Sequence, residues 1–277
     1  MKTGQTELQN KGLPFLKWTG GKRWLASEIE AIAPAQYGRY IEPFLGGGAV
    51  FFHLRPWPAS LSDINGDLIN AYRQVRDDVN GVIDRLRRFR IDPDEYLNVR
   101  DSVPRRPITR AVRFLYLNRT AFNGIYRVNR EGRFNVPFGC KPGTVLCDEA
   151  ILRSASKSLQ NRKLSVCDFK DAIDAAEAGD FVYADPPYTT KHDNNGFQRY
   201  NEVIFSWEDQ VRLADCCRRA KKRGVQVIVS NANHSPILEL YRGFRSKIVD
   251  RSSLISGPIH GRGKTVEAVV YYVTTHK

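Results

Sequence analysis

Asp185-Pro186-Pro187-Tyr188 sets a carboxylate, a rigid turn and an aromatic ring in four consecutive residues. The run before it, Phe181-Val182-Tyr183-Ala184, mixes β-branched and aromatic side chains and predicts a buried parallel strand. Two successive prolines stop both strand and helix, because neither has an N–H to donate. The acid is therefore expected at the carboxyl end of a strand, where open α/β sheets bind ligands. Taken alone, the tetrapeptide also fits a loop that happens to carry Asp and two prolines.

Four other stretches carry groups suited to chemistry. Phe15-Leu16-Lys17-Trp18-Thr19-Gly20-Gly21-Lys22-Arg23-Trp24 places Gly-Gly-Lys before an expected helix. It is not a phosphate loop, since Leu16 and Arg23 occupy the positions that need Gly and Ser or Thr. A plain helix-entry turn is the alternative. Tyr40 to Phe52 reads as a strand, a loop of Gly46, Gly47 and Gly48, and an apolar helix. Glycines there permit positive φ and close approach of backbone to a ligand. The G-x-G-x-x-G dinucleotide fingerprint is absent, so a nucleotide-like ligand other than NAD is expected. A second strand, Ser60-Leu61-Ser62, ends at Asp63, placed either to accept from ribose hydroxyls or to cap a helix over Leu68 to Val75. In the segment from Leu117 to Gly139, Asn123-Gly124 and Glu131-Gly132 mark turns, the run between them alternates like a hairpin, and arginine is interleaved with aromatic rings. Arginine suits guanine edges and phosphates, and a flat ring can enter a base stack. A surface hairpin on an arginine-rich protein is the other reading.

The elements that must hold these residues alternate. Leu164 to Cys167 predicts a strand ending at Asp168-Phe169, and Asp171 to Ala178 a helix closed by Gly179. After Tyr188 comes a polar loop, Thr189 to Asn201, with the composition of a lid. Trp207 to Arg223 predicts a helix, Val225 to Val229 a strand, and Ala268 to Thr274 a last strand. From Asn70 to Arg113 the pattern is helical and rich in arginine. The rhythm gives an α/β doubly wound domain with a helical, basic insertion between Gly66 and Cys147.

Composition agrees with that class. The 277 residues hold 43 Lys and Arg against 30 Asp and Glu, a net charge of +13 that favours a polyanionic partner. Five cysteines, with no C-x-x-C, fit reduced thiols of the cytosol rather than a disulfide framework or a zinc site. Residues 1–12 lack the apolar segment of a signal peptide, and no apolar run would span a bilayer.

Taken in order, Phe-Leu-Lys-Trp-x-Gly-Gly-Lys, Glu-Pro-Phe-x-Gly-Gly-Gly, Asp63-Ile64-Asn65, Phe-Asn-x-Pro-Phe-Gly at 134–139 and Asp-Pro-Pro-Tyr resemble the DNA adenine-N6 methyltransferases of the Dam type. The resemblance runs from Phe15 to Tyr272. It implies a Rossmann-like methyltransferase sheet formed by 1–65 and 148–277, with 66–147 as a mainly helical DNA-recognition subdomain carrying a β-hairpin. It implies S-adenosylmethionine as cofactor, with S-adenosylhomocysteine as product. Glu42, Phe44, Gly46, Gly47 and Gly48 would then meet the cofactor, with Trp18 and Lys22 closing the same site. Asp63 would hold the ribose, Ile64 would lie against the adenine ring, and Asp168 and Phe169 would finish the adenine pocket. Asp185, Pro186, Pro187 and Tyr188 would form the catalytic turn.

The chemistry implied needs neither a metal nor a covalent enzyme intermediate. The exocyclic nitrogen of adenine is a poor nucleophile, because its lone pair is delocalised into the ring. Asp185 and the Pro186 carbonyl, accepting its two N–H bonds, would let it pyramidalise and attack a sulfonium methyl in line. The base must leave the duplex first, and Tyr188 would stack on it. In the same pattern Arg127 would read guanine, Ile125 and Pro137 would touch a thymine methyl, and Lys17 would make a second base contact. Arg119, Asn129, Asn135 and Lys141 would touch phosphates, with Asn123 also in the reading segment. The chain departs from the Dam pattern at Phe122, where Tyr is usual, and at Cys140, where a basic residue is usual. Those changes bear on the GATC target and not on the chemistry. A cytosine-N4 enzyme, an RNA adenine enzyme and a non-catalytic DNA-binding module are the competing readings. A monomer acting on double-stranded DNA in the cytoplasm, at the nucleoid, without membrane or metal, is the expectation.

Overall fold

Short apolar runs bounded by glycine, proline or acidic residues become strands in this chain, and the arginine-rich stretches become helices. The computed structural model describes residues 12–129, 131–140, 143–188, 205–250 and 266–273. In chain order the elements begin with α1 (Ala26–Ile32), β1 (Tyr40–Glu42), α2 (Ala49–Leu54) and β2 (Ala59–Asp63). Four helices follow: α3 (Gly66–Asp77), α4 (Val79–Leu86), α5 (Pro93–Asp101) and α6 (Pro107–Thr120). Then come α7 (Glu149–Leu159), β3 (Lys163–Val166), α8 (Phe169–Asp174), β4 (Phe181–Ala184) and α9 (Trp207–Lys222). β5 (Gln226–Ala232), α10 (Ser235–Leu240), β6 (Arg245–Asp250) and β7 (Val266–Tyr272) complete them. The chain is a mixed α/β protein. Two compact units share it, 1–26 with 46–55 and 63–166, and 27–45 with 56–62 and 167–277.

The second unit is built on parallel pairing of β2 with β1, β1 with β4 and β4 with β5. β7 runs antiparallel between β5 and β6. Strand order thus reverses at β1 and β4, where Tyr40 pairs with Phe181 and Ile41 with Val182. The carboxyl ends of those two strands form the topological switch point, the place where open α/β sheets bind ligands. One face of β4 and β5 packs Val182, Ala184, Val227 and Val229 against Ile173 of α8, Leu213 and Ala214 of α9 and Ile237 of α10. Each buried valine, leucine or isoleucine contributes about 1.5–3 kcal/mol, which fixes the register that sets Asp185 at the strand end. α9 starts at a capping box, with Ser206 and Asp209 each bonding the other's backbone N–H.

In the first unit α3 and α6 pack on each other, with Tyr72, Tyr96 and Tyr116 buried. Their hydroxyls are spent inside: Tyr96 donates to the Val136 carbonyl at 2.8 Å and Tyr116 to that of Arg90 at 2.9 Å. The N-cap of α3 is Asn65, whose Oδ1 accepts from Asp67 and Leu68 at 3.0 Å. Asp63 is therefore not the cap of that helix.

The alternating segment after α6 differs from the hairpin expected. Phe122–Gly124 is a 3₁₀ turn, and two isolated antiparallel bridges, Ala121 with Phe138 and Val128 with Phe134, replace a continuous ladder. Asn123 and Gly124 form the turn expected of Asn-Gly, with left-handed φ of 54° and 66°. Pro137, on the returning arm, has no N–H to give a ladder. The arms still run antiparallel, and Asn129 closes their turn by accepting from Glu131 N and Arg133 N at 3.0 and 2.9 Å. The lid-like stretch from Thr189 to Asn201 lies outside the described residues. No helix among the described residues is long and apolar enough to cross a membrane.

Candidate functional site

The Asp-Pro-Pro-Tyr turn leaves β4, all four residues of which are buried. Asp185 follows directly and is half-buried, as are Pro187 and Tyr188. Ser230, fully buried on β5, donates its hydroxyl to Asp185 Oδ1 at 2.8 Å. Tyr183 Oη lies 3.0 Å from the same Ser230 oxygen. The next residue along β5, Asn231, donates to Gln210 Oε1 at 2.9 Å, and Gln210 Nε2 donates to the Pro187 carbonyl at 3.2 Å. Successive strand residues face opposite sides of a sheet, so these two contacts hold the turn from both faces. Burial, then the charges of Asp185 and Glu267, push the Tyr188 phenol far above its ordinary pKa. Tyr188 therefore remains neutral, and its aromatic face is its chemical asset.

Glu42 ends β1 and is buried, accepting from Tyr40 Oη at 2.8 Å. Phe44 stacks on Phe169, with ring centres 5.3 Å apart. Phe169 is buried, with Phe205 at 5.7 Å and the Arg212 guanidinium 4.2 Å over its ring. Arg212 also bonds both oxygens of Asp168, at 2.9 and 3.0 Å. Asp168 caps α8 through Lys170 N at 2.8 Å. Asp168 and Phe169 are thus fixed by one arginine that the sequence did not single out.

In the first unit, Asp63 ties down the glycine loop. Its Oδ2 accepts from Gly46 N at 3.0 Å and its Oδ1 from Asn65 N at 2.9 Å. Burial raises the Asp63 pKa, against the pull of the backbone N–H groups of Asn65, Gly46 and Ile64. Gly46 and Gly48 have φ of 45° and 66°. A Cβ on Gly46 would lie 2.8 Å from the Trp18 ring, and one on Gly48 2.8 Å from Tyr72 Oη. Tyr72 donates to the Gly46 carbonyl at 3.0 Å. Ile64, next to Asp63, is 70% exposed. Lys22 is buried and donates to the Gly20 carbonyl at 2.9 Å, and Gly21 N closes a turn on the Trp18 carbonyl at 3.0 Å.

The segment expected to read DNA packs on the same unit. Tyr126 stacks on Trp18 at 6.2 Å. Buried Asn118 frames Lys17, accepting from its N–H at 2.9 Å and donating to its carbonyl at 2.6 Å. Lys17 is exposed. Arg127 is exposed too, and its guanidinium bonds Asn135 Oδ1 at 2.8 Å and the Asn135 carbonyl at 3.3 Å. Asn123, Asn129 and Pro137 are exposed, Phe122 is 50% exposed, and Ile125 is half-buried. Arg119 turns inward: it donates to the Phe15 carbonyl at 2.9 Å, and burial lowers its pKa. Lys141 lies outside the described residues.

Sequence reading missed Ser230, Gln210, Asn231, Arg212, Asn118 and Tyr126. Only Ser230-Asn231 left a signal, as polar residues ending an apolar strand.

Comparison with known proteins bears on the same residues. Residues 18–254 match the family described as D12 class N6 adenine-specific DNA methyltransferase. The chain is 38% identical to the type II methyltransferase M1.LlaDCHI of Lactococcus lactis subsp. cremoris, over 93% of this chain and 94% of that one. It is 37% identical to the type II methyltransferase M.MjaIII of Methanocaldococcus jannaschii, over 88% and 92%. It is 34% identical to the DNA adenine methylase of Haemophilus influenzae, over 95% and 94%. With the family match spanning Trp18 to residue 254 and both carboxylate-bearing strand ends inside it, this chain belongs to the D12 class of N6 adenine-specific DNA methyltransferases.

Proposed function

We propose that the protein transfers a methyl group from S-adenosylmethionine to N6 of an adenine flipped out of duplex DNA, within GATC. The observation that carries this reading is Asp185 at the carboxyl end of β4, beside β1 at the switch point and anchored by Ser230. The residues suit such a cofactor chemically. Asp63 is an acceptor for ribose hydroxyls, Ile64 offers an exposed apolar surface for a purine, and the glycine loop brings backbone rather than side chains. Trp18, Lys22, Glu42, Phe44, Gly46, Gly47, Gly48, Asp168 and Phe169 complete the proposed set.

When bound, the cofactor supplies a methyl on a positively charged sulfur. Asp185 and the Pro186 carbonyl accept the two N–H bonds of the target amino group, which directs its lone pair outward. The cofactor would supply its methyl to that lone pair and leave as the neutral thioether, and Asp185 would hold the surplus N6 proton until it passes to solvent. The fixed negative charge of Asp185 opposes the positive charge that develops there. Tyr188 stacks on the extruded base. Arg127 reads guanine, with Lys17, Phe122, Asn123, Ile125 and Pro137 around it. Asn129, Asn135 and Lys141 serve the DNA backbone, and Arg119, with one guanidinium N–H held on the Phe15 carbonyl, would do so only through its remaining N–H groups.

Tritiated methyl transfer with nucleoside analysis, run on DNA and RNA side by side, tests the reading. N6-methyladenine in a GATC duplex, and little in duplexes altered at one base, is expected. N4-methylcytosine, or preference for RNA, would overturn it.

A further inference from the structure

We infer that Ser230, held by Tyr183, is a positioning residue for Asp185, fixing the rotation of the carboxylate that receives the target amino group. The inference rests on the catalytic reading of Asp185.

The hydrogen-bond directions follow from donor counting. A serine hydroxyl has one proton. Ser230 spends it on Asp185 Oδ1 at 2.8 Å. The contact of 3.0 Å between Ser230 and Tyr183 must then carry the tyrosine proton toward the serine. The chain runs one way, from Tyr183 through Ser230 to Asp185. Both supporting residues are buried, Tyr183 at 1% exposure and Ser230 at 0%. Burial and the charge of Asp185 keep Tyr183 protonated, so it is a permanent donor.

Placement explains why the arrangement is rigid. Tyr183 pairs in register with Ile228 of β5, and Ser230 with Val269 of β7. Ser230 therefore sits in an interior strand, paired with β7 and next to Val229, the last residue paired with β4. Among the described residues, the other charged or titratable groups around this cluster are Tyr40 and Glu42 of β1, Glu267 of β7 and Tyr188. The Ser230 hydroxyl gives Asp185 a donor fixed in the sheet.

The test is single-turnover methyl transfer with the full chain, across pH, for Ser230→Ala, Ser230→Thr and Tyr183→Phe. Cofactor affinity is measured in parallel as a check on folding. Losing a donor to a charged acceptor should slow Ser230→Ala by about tenfold to a hundredfold. Its acidic limb should move to higher pH, because a carboxylate without its donor takes up a proton more readily. Ser230→Thr should recover most of both, and Tyr183→Phe should show a smaller loss in the same direction. Ser230→Ala with the wild-type rate and limb overturns the inference. So does a slowed rate with an unmoved limb and no rescue by threonine, since that marks general structural damage. If Ser230→Ala fails to bind cofactor, Tyr183→Phe decides alone, and a wild-type profile there overturns it. Asp185→Ala separates the two layers: wild-type turnover in that variant removes the catalytic reading itself, whereas its loss beside an unaffected Ser230→Ala removes only this inference.

Discussion

Asp63 and Gly46 are joined by a hydrogen bond of 3.0 Å from the glycine amide to the carboxylate, across seventeen residues of chain. The acid proposed to hold a ribose thus also shapes the glycine loop proposed to meet the cofactor. Asp63→Ala should weaken S-adenosylmethionine binding by about 1.5–3 kcal/mol from lost bonds to a charged acceptor. Calorimetry measures it, and an unchanged Kd would contradict the assignment.

The same residue gives a pH prediction. Burial raises its folded pKa above the unfolded value. A carboxyl of that kind binds its proton more tightly in the folded chain. Its ionisation therefore costs stability above the folded pKa, and the cost vanishes as pH falls from there to below the unfolded pKa. Acid should weaken cofactor binding in that window without a matching loss of stability from this group. Kd measured against pH should lose this slope in Asp63→Asn.

Gly46 and Gly132 separate space from backbone conformation. Both have positive φ, 45° and 74°, but a Cβ on Gly132 meets nothing within 4 Å, while one on Gly46 meets Trp18 at 2.8 Å. Gly132→Ala should cost about 1–2 kcal/mol of stability from conformation alone. Gly46→Ala should cost about 1–3 kcal/mol more from overpacking, and should weaken cofactor binding. Denaturant titration of the two variants checks this; equal losses would remove the Trp18 contact as the cause.

Asp185→Ala should abolish methyl transfer while cofactor binding stays measurable, because the carboxylate acts on the amino group and not on the sulfonium. Rapid-quench assays with equilibrium binding test it. Turnover near wild type would end the catalytic assignment.

Arg127 is braced by Asn135. Arg127→Ala should lower activity on the cognate duplex and narrow the gap to duplexes altered at one guanine, by about 1–3 kcal/mol of discrimination. Asn135→Ala should give a smaller change of the same kind, since it removes the brace and leaves the reader. Relative turnover on single-substitution duplexes at fixed salt is the measurement. A uniform loss on every duplex would make Arg127 a backbone contact.

Much of the sheet was legible because its signals are local. Phe181 to Ala184 announces a buried strand by composition, and the prolines after it announce the stop. The order of the motifs was enough to identify the family. The segment expected to read DNA was half legible: its turns at Asn123-Gly124 and Glu131-Gly132 were marked by sequence, but the reduction of the ladder between the arms to two isolated bridges was not. α7, β6 and α10 were missed. β6 is largely exposed and carries charged residues, and α10 is only six residues long, so neither of those two shows a strong periodic signal.

By itself, then, the sequence determined which groups could do chemistry and in what order: an acid after a buried strand, glycines after another, arginines among aromatic rings. Tertiary structure alone decided what holds them. Ser230 reaches Asp185 from 45 residues away, Arg212 reaches Asp168 from 44, and Asn118 reaches Lys17 from 101. Contacts at such separations depend on strand register and helix docking, and a single polar residue within an apolar strand or on a helix leaves no periodic trace of the partner it will meet.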